Sequence, residues 1–270
     1  MKEKRKLNKG GKILLLFTLV VSSIFLLWPF TVKADINVNI NKETQIVTDL
    51  IGQYSINYTG DANFFGFYGY YENNNYNEMV KDTDFKATVD TIGKDKIVNS
   101  SIASLKKTDG ATQIEAAYLV WETSVQGKNK TDLVKKAANK AIYFAGATDK
   151  GAFTKKVNAS YAAVDMREPH LGTKEYTFSC MYTDVTATVQ KYGYGKYGVA
   201  NIPYVESTEK SNTSKGTHSG ESSAAWQLIV IEKNSKANVR AVSLKVGSHF
   251  NYQQENSKWT RNPVTMNLDL

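Results

Sequence analysis

The sequence predicts an all-β protein, an antiparallel β-sandwich of jelly-roll-like type with one or two short peripheral helices. Three observations lead there. Val, Ile, Thr, Tyr and Phe recur in short runs that Gly, Asn, Asp and Ser interrupt, at the spacing of sandwich strands. Several of those runs alternate apolar and polar residues, as half-buried strands do. One cysteine, Cys180, excludes an intramolecular disulfide framework, and a chain of 270 residues can bury a core without one.

The amino terminus reads as a leader. Lys2, Lys4, Arg5, Lys6, Lys9 and Lys12 precede an apolar run from Ile13 to Phe30, and Val32-Lys33-Ala34 supplies small residues where an export peptidase cuts. Residues 1–34 are therefore expected to be a Gram-positive signal peptide, and 35–270 a single sandwich domain. The alternative is an uncleaved anchor, since the run approaches the roughly 20 residues that span a bilayer. The leader holds seven of the 34 Lys and Arg and one of the 26 acidic residues, which leaves 27 against 25 and a net charge of +2. Without a basic stripe, nucleic acid is not an expected partner.

Along the rest of the chain, Ile36-Asn-Val-Asn-Ile40, Tyr54-Ser-Ile-Asn-Tyr58 and Ala116 to Trp121 alternate cleanly and read as strands. Thr131 can cap a helix through Ala141, with Val134, Ala137, Ala138 and Ala141 on one face. Ile142-Tyr-Phe-Ala-Gly146 resumes strand character. Cys180, within Tyr176 to Tyr182, reads as a small core thiol. Ser207 to Ser223 is almost devoid of apolar residues and reads as a surface loop. Trp226 to Glu232 and Val239 to Val246, joined by Lys233 to Asn238, predict a hairpin whose first arm, apolar at nearly every position, is a central strand covered on both faces.

Ala116-Ala-Tyr-Leu-Val-Trp-Glu122, Ile142-Tyr-Phe-Ala-Gly146, Tyr182-Thr-Asp-Val-Thr-Ala-Thr-Val189 with Gly195-Lys-Tyr-Gly-Val-Ala-Asn-Ile202, and Ala225 to Glu232 with Val239 to Leu244, occur in this order. Together they resemble a β-sandwich domain near the amino terminus of large Gram-positive surface proteins, where it often precedes Cna-B-like or other Ig-like repeats. The resemblance covers roughly residues 111–250 and implies a structural or adhesive role. The link after Glu232 lacks the usual acidic and proline residues, and Lys245-Val-Gly247 replaces an aromatic-acidic-Gly turn, so fold and broad role alone carry over.

Catalysis finds little support in the motifs. His170, His218 and His249 have no metal-site spacing, and Asp82-Thr-Asp84 with Asp90 lacks the Gly and spaced Glu of a calcium loop. No cofactor or metal is expected. A spontaneous Lys–Asn cross-link is open to this fold class, but no trio stands out. Aromatics crowd Asn63 to Asn77 and again Tyr192-Gly-Tyr-Gly-Lys-Tyr197, and large rings with polar tips favour binding surfaces. Tyr68, Tyr70, Tyr71, Tyr76, Tyr192 and Tyr194 are the expected binding residues, with Phe64, Phe65 and Phe67 open to a core role instead.

The reading that follows is a secreted or cell-surface adhesion module, not an enzyme, contacting an extracellular protein, a glycan or another bacterial surface protein. Membrane contact is expected only through an uncleaved leader. The end at Asn262 to Leu270 has no apolar tail, which favours release or non-covalent retention. The alternatives are a secreted polysaccharide- or wall-acting enzyme with carboxylates that sequence cannot pair, or a β-rich pore-forming toxin.

Overall fold

In the computed structural model, residues 38–40, 45–66, 74–75, 77–126, 137–167, 176–203, 211–213, 216–218, 222–247, 252–255 and 258–261 are described. The chain divides into two units, Met1–Asp35 and Ile36–Leu270, and all described residues belong to the second. Strands β1 (Val38–Ile40), β2 (Gln45–Gly66), β3 (Asn74–Asn75), β4 (Ser100–Leu105), β5 (Ala111–Gln126), β6 (Ile142–Thr148), β7 (Gly151–Val157) and β8 (Tyr161–Arg167) form the first half. The second half holds β9 (Tyr176–Asp184), β10 (Gly195–Ala200), β11 (Ser211–Thr213), β12 (Gly216–His218), β13 (Ser222–Asn234), β14 (Val239–Val246), β15 (Tyr252–Glu255) and β16 (Lys258–Arg261). Among the described residues, three short α-helices are seen from end to end: α1 (Glu78–Lys81), α2 (Lys86–Ile92) and α3 (Thr186–Tyr192).

The strands build the expected sandwich. One sheet runs β1-β8-β9-β5-β13-β2-β14, with β3 also on β2, and the facing sheet runs β4-β10-β6-β7. All pairs in these two sheets are antiparallel except β1 with β8. Alternation sends Leu119, Trp121, Met181, Trp226, Leu228 and Val230 inward from the larger sheet. Ile142, Phe144, Phe153, Tyr197 and Val199 meet them from the smaller one. Phe144 stacks on Tyr197 at 5.6 Å and meets Phe153 edge-on at 5.3 Å, so an aromatic layer fills the centre. Each such side chain contributes about 1.5–3 kcal/mol by leaving water.

The expected hairpin is corrected. β13 and β14 do not pair with each other; both pair with β2, which runs antiparallel to them in succession. Tyr54 to Gly66 pairs with β13, and Gln45 to Gln53 pairs with β14. The physical reason is the length of β2, whose 22 residues pair with both strands in succession and take the edge of β13 that a hairpin would give to β14. The central position of β13 was correctly anticipated. The β14 end of β2 then lies over the outer face, where Val47, Leu50, Val242, Leu244 and Val246 join Tyr54, Tyr118, Tyr161 and Tyr182 in a second core.

Helices α1 and α2 form a layer on the far side of the smaller sheet. Met79, Phe85, Val89, Ile92 and Ile97 pack there on Ala145 and Ala200. Gly198 makes the close approach possible, because a Cβ at that position would lie 3.0 Å from both Met79 Sδ and Phe85 Cε1. Glu78 of α1 accepts a hydrogen bond from the Ile102 N–H of edge strand β4 at 2.9 Å, closing part of an open sheet edge. The helix expected from Thr131 to Ala141 lies mostly outside the described residues. Helical backbone ends at Ala138, Lys140 N–H turns back to Ala137 O, and both alanines are buried.

Asp82 and Asp84 hold this layer to β10. Lys196 Nζ lies 2.8 Å from a carboxylate oxygen of each, and the Asp82 carboxylate also accepts the Asp84 N–H. The Lys196 hydrogen bond, with help from the Asp84 N–H, holds the Asp82 carboxyl below its ordinary 3.8 against the opposing effect of burial. A depressed folded-state pKa stabilises the fold above the unfolded value and loses that contribution as pH falls through the folded one. Urea midpoints should therefore drop more steeply below pH ~4 for the native protein than for Lys196→Met. Identical acid slopes for the two would remove the ion pair from the account.

Candidate functional site

Three chain turns meet beside α3. Thr108-Asp109-Gly110 links β4 to β5, with Ala111 N–H bonded to Thr108 O and Gly110 at φ 79°. Asp149-Lys150 turns β6 into β7, and Gly193-Tyr194 joins α3 to β10. Gly193 at φ 74° ends α3 by donating its N–H to Val189 O, and a Cβ there would lie 2.8 Å from Asp149 Oδ1. Gly195 at φ 139° runs so close to β6 that a Cβ would stand 2.6 Å from Thr148 Cα. Glycine on both sides of Tyr194 is thus what lets the link reach the β6–β7 turn, where Asp149 N–H bonds Tyr194 O.

Between these turns lies a cleft of about 500 Å3, lined by Lys107, Thr112, Gln113, Ile114, Asp149, Lys150, Gln190, Gly193 and Tyr194. The side chains of Lys107, Gln113, Asp149, Lys150 and Gln190 are exposed. Gln190 Nε2 is anchored on Ile114 O at 3.0 Å. A shallower cleft of about 290 Å3, lined by Gln53, Tyr54, Thr112, Lys233, Asn234 and Ser235, adjoins it through Thr112.

Tyr194 is held from beneath. Its hydroxyl donates to Glu232 Oε1 at 2.7 Å, and the fully buried Glu232 side chain also accepts from Ser55 Oγ at 3.2 Å and Thr108 N–H at 3.4 Å. Burial, and then the Glu232 hydrogen bond, push the Tyr194 phenol well above its ordinary value. Asn234 extends the cluster, donating to Ser55 Oγ and Asp109 O. Its acceptor Oδ1 takes the Lys236 N–H. The ring that lines the cleft is therefore fixed by a buried acid and two strands.

Of the six expected binding residues, Tyr192 and Tyr194 are described, and Tyr68, Tyr70, Tyr71 and Tyr76 lie outside the described residues. Tyr192 and Tyr194 both pack on the main core: Tyr192 is half-buried with its ring 4.5 Å from that of Phe153, and of these two Tyr194 also lines the cleft. Phe64 is a core residue. Asn63, beside it, is fully buried and bonds Asn99, Ser101 and Val199 O. Lys107, Gln113, Asp149, Lys150 and Gln190 were not anticipated. They come from two turns, the start of β5 and helix α3, far apart in sequence, and their only local signal is the turn chemistry of Thr-Asp-Gly110 and Asp-Lys-Gly151.

Other sequence candidates take structural roles. Asp82 and Asp84 face the Lys196 ammonium and Asp90 pairs with Lys86 at 2.6 Å, so these oxygens face cations already present. Among the described residues, no group of three His, Cys, Asp or Glu is placed to hold a metal ion. Cys180 is half-buried against the second core, and burial, with the charge of Glu122 adding, pushes its thiol up to about 12, far from a reactive thiolate. Glu232 is the buried acid among the described residues, and its bonds run to Tyr194, Ser55 and Thr108, not to a lysine. Among the described residues, no helix is long and apolar enough to cross a membrane. Comparison with protein-family models, curated proteins and solved structures finds no match.

Proposed function

We propose that the chain is an exported, non-catalytic binding module of a Gram-positive cell surface or its surroundings, engaging an extracellular glycan or protein at the loop end of its sandwich. The observation that carries this reading is the cleft beside Tyr194. Its volume lies in the ~300–1,000 Å3 range of small-ligand sites, and amide, hydroxyl and ammonium groups converge on a ring whose orientation is fixed. The basic, apolar leader supports export, and the order of the Trp226, Tyr197 and Asp184 segments supports kinship with surface-protein sandwiches.

A glycan array combined with a panel of extracellular-matrix and wall proteins tests this. Saturable binding to one class is expected, with no reducing ends released from the glycans and none of their linkages cut. Steady product release that Asp149→Asn abolishes would replace the binding reading with an enzymatic one. Absence of binding to every glycan and protein on the panel would overturn it.

A further inference from the structure

Four lysines elsewhere in the described fold, Lys86, Lys196, Lys233 and Lys236, each lie within 3.0 Å of a carboxylate oxygen. Lys107 and Lys150 make no such pair among the described residues, although both are exposed and both line the same cleft. They enter from different turns, one after β4 and one after β6, so their convergence is a product of the tertiary fold. Asp149 is the single carboxylate among the lining side chains, which leaves the cleft with a net positive charge.

The remaining lining groups are suited to hydroxyls. Gln113 offers both donor and acceptor, and Gln190, anchored through its Nε2, leaves its Oε1 as an acceptor. Asp149 adds carboxylate acceptors, and the half-buried Tyr194 ring supplies an apolar surface against which the C–H face of a sugar ring can lie. Thr112, whose hydroxyl donates to Lys233 O at 3.2 Å, keeps its oxygen lone pairs available.

We infer that this cleft binds a carboxylate-bearing sugar, a sialic or uronic acid residue of an extracellular glycan, with Lys107 and Lys150 meeting the carboxylate. Gln113, Gln190 and Asp149 meet its hydroxyls, and Tyr194 supports the ring. The inference rests on the binding-module reading and gives it a site and a ligand class. The four tyrosines of residues 67–76 are not needed for it.

The test uses sialyllactose and a hyaluronan tetrasaccharide as acidic probes, with lactose and the methyl ester of sialyllactose as neutral ones. Calorimetric titration of the purified protein should show one acidic probe binding at least about ten-fold more tightly than its neutral counterpart, and less tightly as salt is raised. The Lys107→Ala/Lys150→Ala double variant should lose about ten-fold or more in affinity. Its melting temperature should not change, because both side chains are exposed. A Lys94→Ala/Lys140→Ala variant carries the same change in net charge away from the cleft and should bind as the native protein does. Equal affinity for acid and ester, or full affinity in the Lys107/Lys150 variant, would overturn the inference. Binding of a different glycan or a protein from the panel, with no response to acidic sugars, would overturn it while leaving the binding module standing.

Discussion

Trp226→Ala lowers the stability of the sandwich by roughly 3–5 kcal/mol, a large fraction of what a domain possesses. The indole is 4 % exposed between the two sheets, so its removal leaves a cavity that a packed core refills only in part. Its Nε1–H donates to Ser101 Oγ at 2.8 Å, and Ser101 donates in turn to Asn63 Oδ1 at 2.7 Å. Asn63 donates to Asn99 Oδ1 and Val199 O, and Asn99 exchanges hydrogen bonds with Ile202. This fully buried chain of polar groups ties β13 and β2 of one sheet to β4 and β10 of the other. Trp226→Phe keeps most of the volume but removes the donor and part of the ring system, so about 1–3 kcal/mol is expected from it. Urea unfolding distinguishes the two effects, and equal losses for Ala and Phe would mean that the hydrogen-bond chain, not the packing, dominates.

Glu232→Ala is expected to cost about 2–4 kcal/mol, because it strips the acceptor from three donors at once. Ser55 Oγ, Thr108 N–H and the Tyr194 hydroxyl would each need a new partner. Tyr194→Phe removes one donor and leaves Glu232 its other two, for about 1–2 kcal/mol. A double-mutant cycle between the two positions should return a coupling above about 0.5 kcal/mol; strictly additive losses would show that the 2.7 Å contact carries no weight. The same variants matter for recognition, since a freed Tyr194 ring no longer presents a fixed wall to the cleft.

The β class was legible because alternation is a local property. Tyr54 to Tyr58, Ala116 to Trp121 and Ile142 to Gly146 all lie within strands, and the two-faced apolarity of Trp226 to Glu232 correctly marked a central one. Its partners were not legible. Proximity along the chain suggested β14, whereas β13 pairs with β2 across some 170 residues, a long-range match that no local pattern encodes. The helical layer escaped notice because its helices are only four and seven residues long, too short for a periodic signal. Phe85, Val89 and Ile92 do keep helical spacing behind the Asp82 turn, and that was the available clue.

Helix α3 hid behind β-favouring residues. Thr186-Ala-Thr-Val189 reads as strand by composition, yet Asp184 Oδ1 accepts the Thr186 N–H at 2.7 Å in a turn that leads into the helix, and Val185 and Val189 share the core side. Of the residues that line the cleft, the sequence reading singled out Tyr194 alone. The aromatic run from Tyr192 to Tyr197 pointed to both Tyr192 and Tyr194, because large rings with polar tips favour binding surfaces. It could not separate Tyr194, which faces the cleft, from Tyr192, which packs on Phe153, since that depends on where the β6–β7 turn lies.

Amide chemical-shift mapping during titration with the tightest ligand from the array locates the binding surface residue by residue. Saturable shifts are expected to concentrate on Lys107, Thr112, Gln113, Asp149, Lys150, Gln190 and Tyr194 and to fade toward the second core. Shifts centred instead on Tyr58 and Ile56 of the outer face, or no saturable shift at the three turns, would contradict the cleft as the binding site.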